Sequence, residues 1–262
     1  GRLSTTSPPT TRPSASAFWN RRSRRSPIAA RLLWRFRVGL SDRVAYGKTQ
    51  LERGLEWFEY SMFFKNRFSS PLSLTFAFVA THNHFVLDRG GKVFIQSAPV
   101  VKLAAGCGED DYLGLLGLLN SSVACFWCQQ VFHNKGGPGG GSSKDEKWHD
   151  FYEFASTALA DFPLVAERPV ALAQRLDRLA SQLNECLPAA LIGDTSAGGS
   201  LLSRAALDAG RHRAEALKRQ MVAWQEELDW QVYPWYGVWD ETLCHDGEPP
   251  EIRFGERAFE IV

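Results

Sequence analysis

The sequence predicts a mixed α+β fold, in which a small, largely antiparallel sheet with one buried helix precedes a long antiparallel helical hairpin. Three observations predict this class. Residues 72–79 (LSLTFAFV) alternate with period two, which is typical of a strand. Residues 112–132 are apolar nearly all round, which indicates a helix inside the protein. Two later stretches carry large apolar residues at heptad-like spacing.

The chain is predicted to begin with a disordered basic arm over residues 1–31. This stretch is rich in Ser, Thr, Pro and Arg, and it holds too little apolar surface to offset the entropy of ordering. Beyond this arm we expect an α+β domain over 32–168, the helical hairpin over 169–237, and a truncated strand segment over 238–262.

Charge is divided unevenly along the chain, although the net charge is only +1. Residues 1–70 carry 14 Lys/Arg against 4 Asp/Glu, and residues 71–262 carry 16 against 25. A basic arm ahead of a mildly acidic body is typical of nucleic-acid contact, whereas a merely solvated tail is the alternative.

The five cysteines are odd in number and mostly far apart, which argues against a disulfide framework and predicts a cytoplasmic protein. The sequence contains no run of 18 apolar residues, so it predicts no membrane-spanning helix. The first residue is Gly and the chain stops at a strand-like Glu260-Ile261-Val262, so we expect a fragment of a larger protein.

The sheet is expected to follow an aromatic-rich helix or short helix pair at 50–68, which Pro71 ends. Beyond the strand at 72–79, short strands are predicted at 84–87 and 92–95, joined by an Asp-Arg-Gly-Gly turn. Another strand is predicted at 98–103.

Three acidic residues, Glu109 to Asp111, precede the long apolar run and complement the positive end of a helix dipole. We expect one buried helix of about 22 residues from this run, because it is apolar on every face.

The hairpin is predicted from two stripes, each with spacing 4, 3, 4, 4. The stripes are Leu172, Leu176, Leu179, Leu183 and Leu187, then Leu217, Met221, Trp224, Leu228 and Val232. Such stripes normally indicate packing of one helix on another. A Gly-rich connection permits the reversal.

The tripeptide His82-Asn83-His84 at the mouth of a strand admits several interpretations. Two histidines two apart share a face and could chelate a metal, but no third ligand follows at a suitable spacing. The tripeptide is also unlike the HNH nuclease motif, whose three residues are spread over a ββα unit. The remaining readings are contacts to a ligand and bonds to backbone groups at the strand start.

Other short motifs carry little chemistry. Cys125 and Cys128 form a CxxC pair within an apolar helix, where two cysteines are more often core residues than a redox or zinc site. Ser7-Pro8-Pro9-Thr10 lacks the terminal aromatic of an aminomethyltransferase motif. No GxGxxG, Walker or GxSxG motif occurs, so we predict no catalytic, cofactor-binding or metal-binding residue in this chain.

A binding surface is therefore the main candidate. Arg, Lys and Asn read base edges and neutralise phosphates, and several of them flank the predicted strands. The predicted DNA-binding residues are Arg67, His82, Asn83, His84, Arg89, Lys92, Lys102 and Lys135.

Four segments carry a resemblance to a known family: residues 67–103, "LLGLLNSSVACFW", "QVFHNKG" and "AWQEELDWQVYPWYG". They resemble the C-terminal part of the adenine-specific DNA methyltransferases of bacteriophage-exclusion (BREX, phage-growth-limitation) systems. The helix with "LLGLLNSS" is similar to target-recognition domains of fused restriction–modification enzymes.

The resemblance implies an N-terminal S-adenosylmethionine-binding domain followed by a specificity region, and this chain matches only the second. We therefore expect a DNA-recognition fragment that binds double-stranded DNA, is inactive alone, and belongs to a phage-defence system. The implied cofactor, S-adenosylmethionine, would serve the intact enzyme. The alternatives are a protein-interaction module that docks another defence protein through its hairpin, and a remnant without a stable fold.

Overall fold

The computed structural model describes residues 27–61, 70–135, 151–195, 203–253 and 255–260. The chain divides into two compact units, residues 1–67 and 68–262. The predicted domain 32–168 spans this division, whereas the predicted hairpin and the C-terminal segment both fall within the second unit. Residues 1–26 of the predicted disordered arm lie outside the described residues.

The first unit holds short elements, of which the helices come first and a two-stranded antiparallel hairpin follows. They are α1 (Pro27–Leu33), a 3-10 helix (Trp34–Phe36), α2 (Arg37–Ser41), β1 (Val44–Ala45) and β2 (Lys48–Thr49). Residues 27–31 are thus helical and not disordered as expected, because Pro27 is pre-organised for the first helical position and alanines follow it.

The predicted helix at 50–68 is wrong over the described residues 50–61, which form turns. Glu52 accepts hydrogen bonds from the amide and hydroxyl of Thr49, and Gly54 takes a positive φ of 72°, so both residues favour a turn. The aromatic residues serve packing, since Trp57 is buried and meets Trp34 edge-on. Residues 62–69 lie outside the described part.

The second unit contains two small sheets, whose described strands pair only antiparallel. Their strands are β3 (Ser73–Phe76), β4 (Val79–Ala80), β5 (Phe85–Asp88), β6 (Val100–Val101) and β7 (Tyr152–Glu153). The order of the larger sheet is β5–β3–β6, and β4 pairs with β7. The antiparallel sheet is therefore confirmed, although 72–79 is divided into β3 and β4.

No strand forms over residues 92–95, contrary to expectation. Gly90 and Gly91 take positive φ and turn the chain away, and the outward amide and carbonyl of Phe85, with which such a strand would pair, are bonded by Asn120. Val93 and Ile95 are consequently exposed.

The long apolar run forms two helices, α3 (Glu109–Leu119) and α4 (Ser122–Val131), and not one. The break has a local cause: the Ser121 hydroxyl accepts a hydrogen bond from the Ala124 amide and so caps a new helix. The interior position of α3 is confirmed, since every residue from Tyr112 to Leu119 is buried.

Four helices follow, of which the first is one turn and the last is the longest. They are α5 (Ser156–Leu159), α6 (Val170–Glu185), α7 (Pro188–Thr195) and α8 (Arg204–Val232). The hairpin of α6 and α8 is confirmed and antiparallel: Arg175 stacks on Trp224 at 3.9 Å, while Gly210, far earlier in α8, approaches the carbonyl of Cys186. The predicted apolar stripes pack against each other along it, apart from Leu187, which is 44% exposed.

The core of the second unit lies between the larger sheet, α3, α4 and α8. Gly117 makes this possible, because a Cβ there would lie 2.6 Å from Pro169 and 3.1 Å from Ala173. Helix α3 therefore approaches the start of α6 more closely than any residue with a side chain would permit.

The predicted C-terminal strand does not form within the described residues 238–253 and 255–260. Pro249-Pro250 removes two backbone donors, and Gly247 takes a φ of 99°. The regular structure there is a 3-10 helix, Ala258–Glu260. The segment is held by side-chain bonds to α8 instead.

Candidate functional site

Asn83 joins the loop before β5 to the end of helix α3. Its side-chain amide donates to the carbonyl of Leu119 at 2.7 Å and to that of Ser121 at 3.2 Å. The Leu119 carbonyl is one that the end of α3 leaves without an intrahelical partner, whereas the Ser121 carbonyl also accepts from the Cys125 amide of α4. The Asn83 amide nitrogen is therefore engaged within the fold.

The two histidines beside it remain at the surface. His82 is exposed and contacts the hydroxyl of Thr81 at 2.9 Å, and the rings of His82 and His84 lie 6.4 Å apart. Partial desolvation and the neighbouring His82 lower the pKa of His84, which favours its neutral imidazole. Among the described residues, no group of three or more metal-ligating side chains is found.

Asn120 also joins β5 to the end of α3, and it was not among the residues predicted from the sequence. Its Oδ1 accepts from the Phe85 amide at 2.8 Å, and its Nδ2 donates to the Phe85 carbonyl at 2.9 Å. One side chain thus makes the two bonds that a neighbouring strand would make. The only sequence signal was a polar Asn-Ser-Ser interrupting an apolar run.

Arg89 clamps three elements together. Its guanidinium donates to Glu109 at 2.6 Å and to Asp177 at 2.7 Å, so the turn after β5 is tied to α3 and α6. These two carboxylates raise the pKa of Arg89. The acidic start of α3, predicted from its dipole, therefore also serves as an ion-pair partner.

The predicted lysines lie on different parts of the second unit. Lys92 follows the turn, and its ammonium is 3.8 Å from Asp88 with 71% of the side chain exposed. Lys135 pairs with Glu153 of β7 at 2.6 Å. Lys102 follows β6, on the other side of β3 from β5, so these residues do not share one sheet edge. Arg67 lies outside the described residues.

A cleft of about 520 Å³ opens beside β5. Its apolar walls come from β5, α3, α6 and α8, and polar side chains at its mouth include His82, His84, Asp177 and Glu260. This volume is typical of ligand sites. The cleft brings together three of the predicted DNA-binding residues, His82, Asn83 and His84.

A buried acidic cluster on α8 lies next to the cleft and is joined to it by the lining residue Arg257. Asp229 is fully buried, and it accepts hydrogen bonds from the Ser122 amide at 2.8 Å and from Arg257. Arg257 also reaches Glu226 at 3.3 Å. Burial raises the pKa of Asp229 to about 6, although Arg257 opposes the shift.

The CxxC cysteines are free and buried. Burial raises the pKa of Cys125, and it raises that of Cys128 to about 12. Thiols held protonated in this way are poor nucleophiles and poor metal ligands. Their geometry agrees with a core role.

The described residues do not fit S-adenosylmethionine. Nucleotide-type cofactors bind where parallel strands lead through glycine-rich turns into helices, and here every described strand pairing is antiparallel. We therefore derive no chemical step through this cofactor. No helix in the described ranges is long and apolar enough to cross a membrane.

Fold and site together define an α+β domain that has an apolar cleft with a polar mouth and a helical hairpin. Comparison with known proteins shows which particular protein this domain resembles. The chain is 43% identical, over 246 residues and 90% of its length, to the adenine-specific methyltransferase PglX of Streptomyces coelicolor. Residues 221–262 also match a family model described as a domain of unknown function (DUF7008).

This similarity confirms the family resemblance predicted from the sequence. The chain spans about one fifth of the length of that relative. The DUF7008 match begins within α8 and includes Arg257, so it contains both halves of the buried acidic cluster.

Proposed function

We propose that this chain is the DNA-recognition part of an adenine-specific, S-adenosylmethionine-dependent DNA methyltransferase of a phage-defence system. The observation that carries the proposal is the 43% identity to an adenine-specific methyltransferase across 90% of the chain. In the intact enzyme the target adenine would be flipped out of the duplex and its exocyclic amine methylated. The present chain would select and position the site.

The antiparallel architecture supports this division of labour. Because the described residues do not fit the cofactor, methyl transfer requires residues beyond this one fifth of the relative's length. Site selection requires only a stable surface that presents hydrogen-bonding and cationic side chains to DNA.

The predicted DNA contacts can be ranked by how exposed each side chain is and by whether a protein partner already binds it. Among the predicted DNA-binding residues, Lys92 has a 71% exposed side chain and only a long 3.8 Å ion pair. Arg89 and Asn83 are already engaged by protein partners. We therefore place Lys92, with the exposed His82 and His84, first among the contacts.

Binding of the 262-residue chain to random-sequence duplex, measured by fluorescence anisotropy at two salt concentrations, tests the proposal. A truncation that removes residues 1–26 and keeps α1 intact separates the basic arm from the body. We expect the truncated chain to keep salt-dependent binding, because phosphate contacts release counterions. Binding that disappears with the arm would contradict a recognition role for the body.

Two charge reversals localise the contact. Lys92→Glu is expected to weaken binding and to lower the salt slope by about 1 or more, since one phosphate contact contributes about that much. Arg204→Glu is the matched control, because Arg204 is 94% exposed at the distant start of α8. Equal losses from both variants would indicate general charge and not a site.

A further inference from the structure

Along the outer edge of β5, some outward-pointing main-chain amides and carbonyls are hydrogen-bonded and others are not. Strand β5 is the edge of its sheet. Main-chain groups alternate in direction along an antiparallel strand. The amide of Phe76 donates to Pro99 on the β6 side, so its register partner Phe85 does not bond across β3. The main-chain groups of Phe85 and Leu87 therefore point outward, away from the sheet.

Asn120 already occupies the first of these two outward positions. It bonds both the amide and the carbonyl of Phe85, as a residue of a neighbouring strand would. Leu87 presents the next outward amide and carbonyl, and no hydrogen bond from the described residues reaches them on that side. An unpaired strand edge of this kind is a template for another extended chain.

The cleft lies directly beside this edge and is shaped for side chains. Phe85, Val86 and Leu87 line it on one side, and Leu176 and Ala180 of α6 line it on the other. Small residues on α3 and α6 leave the space open. An extended segment along β5 would direct alternate side chains into this apolar space.

Charge around the cleft selects among possible occupants. Asp177 shares Arg89 with Glu109, and Arg257 is shared by two buried carboxylates of α8. Glu260 also lines the cleft. The carboxylates outnumber the arginines, so the site favours a basic occupant and disfavours the phosphates of DNA.

We propose that the β5 edge and its cleft bind an extended peptide segment of another protein by strand addition. Apolar residues at alternate positions enter the cleft, and Lys or Arg residues between them meet the carboxylates at its mouth. Because β5 has four residues, the bound segment is short. This peptide site shares His82 and His84 at its mouth with the proposed DNA contacts, but it does not rest on the DNA-recognition role, because its occupant is held by the main chain of β5 and by carboxylates.

Panning a random dodecapeptide display library against the whole 262-residue chain tests the site. Enriched peptides should alternate apolar and basic residues. Ala180→Trp fills the cleft and should reduce their affinity at least tenfold, whereas Ala171→Trp is the matched control, on the exposed face of the same helix. No enrichment, or equal binding by both variants, would overturn the proposal.

Amide hydrogen exchange of the wild-type chain gives a second readout that does not depend on either variant folding. An enriched peptide should slow exchange of the Leu87 amide at least tenfold and leave that of Val86 unchanged, because Val86 already pairs with β3. An unprotected Leu87 would contradict strand addition. So would occupation of the cleft by a second copy, seen as dimerisation lost in Ala180→Trp.

Discussion

Two arginines hold the second unit together in the same way but in different surroundings. Arg89 bridges Glu109 and Asp177 with 44% of its side chain exposed. Arg257 bridges Glu226 and Asp229 with 16% exposed, against carboxylates that are 7% and 0% exposed. Each guanidinium meets two carboxylates, and burial is the main variable that separates the two clusters, although Asp177 is itself only 11% exposed.

The comparison shows that an ion pair's importance depends on what its loss leaves behind. Water and salt replace a partner at the surface, so exposed pairs contribute little to stability. A buried carboxylate that loses its partner has nothing to replace it. The Arg257 clamp therefore controls folding of the C-terminal segment, and the Arg89 clamp chiefly sets the geometry of the β5 turn.

Removal of the buried clamp should have the largest effect. Arg257→Ala leaves Asp229 and Glu226 buried without a cation, so we expect a loss of about 3–5 kcal/mol in the free energy of unfolding. Urea denaturation followed by circular dichroism measures it. Arg253→Ala, at an exposed position in the same segment, is the control. A change below about 1 kcal/mol would show that burial does not separate the two clamps.

The same cluster should make stability depend on pH. The pKa of Asp229 rises from 3.8 to about 6 in the folded state. A raised carboxyl pKa means that the folded chain binds the proton more tightly, so its contribution is fully present below pH 4 and is lost as pH rises through 6. Over this window we expect wild type to lose about 2–3 kcal/mol relative to Asp229→Asn. Parallel stability curves for the two proteins would contradict this.

Loss of the uncharged bridge from Asn120 to Phe85 should destabilise the protein by an amount between those expected for the two arginine clamps. Asn120→Ala removes both bonds to Phe85 and leaves a backbone amide and carbonyl at the cleft, so we expect a loss of about 1–3 kcal/mol. Asn184→Ala, exposed on α6, is the control. Faster exchange of the Phe85 amide in Asn120→Ala would assign the loss to this bridge, and unchanged exchange would exclude it.

These residues also show what the sequence could predict. The hairpin was predictable because its stripes repeat along the chain, and packing of α6 on α8 needs no other information. The strand β5 and the interior position of α3 were also predictable from the local sequence. The absence of the strand at 92–95 was not predictable, since the β5 edge with which it would pair is bonded at Phe85 by Asn120, a residue remote in sequence.

The site was less predictable than the fold, because its partners are remote in sequence. Asn120 meets Phe85 across 35 residues, and Arg257 meets Asp229 across 28. The tripeptide at 82–84 is unusual in the sequence itself, but the bonds of Asn83 to α3 depend on the tertiary fold and could not be predicted from the sequence. Contact of these residues with DNA stays a prediction.

The smallest stability effect should come from Arg89, and it bears directly on function. Arg89→Ala exposes Glu109 and Asp177 to water, so we expect a loss of at most about 1 kcal/mol. If Arg89 contacts phosphate despite its two partners, the variant should also weaken DNA binding and reduce the salt slope. Unchanged affinity and slope would mean that its charge is used within the protein. The same anisotropy titration as for Lys92→Glu decides this, because both residues flank the same turn, and Arg89 has two carboxylate partners at 2.6 and 2.7 Å whereas Lys92 has one at 3.8 Å.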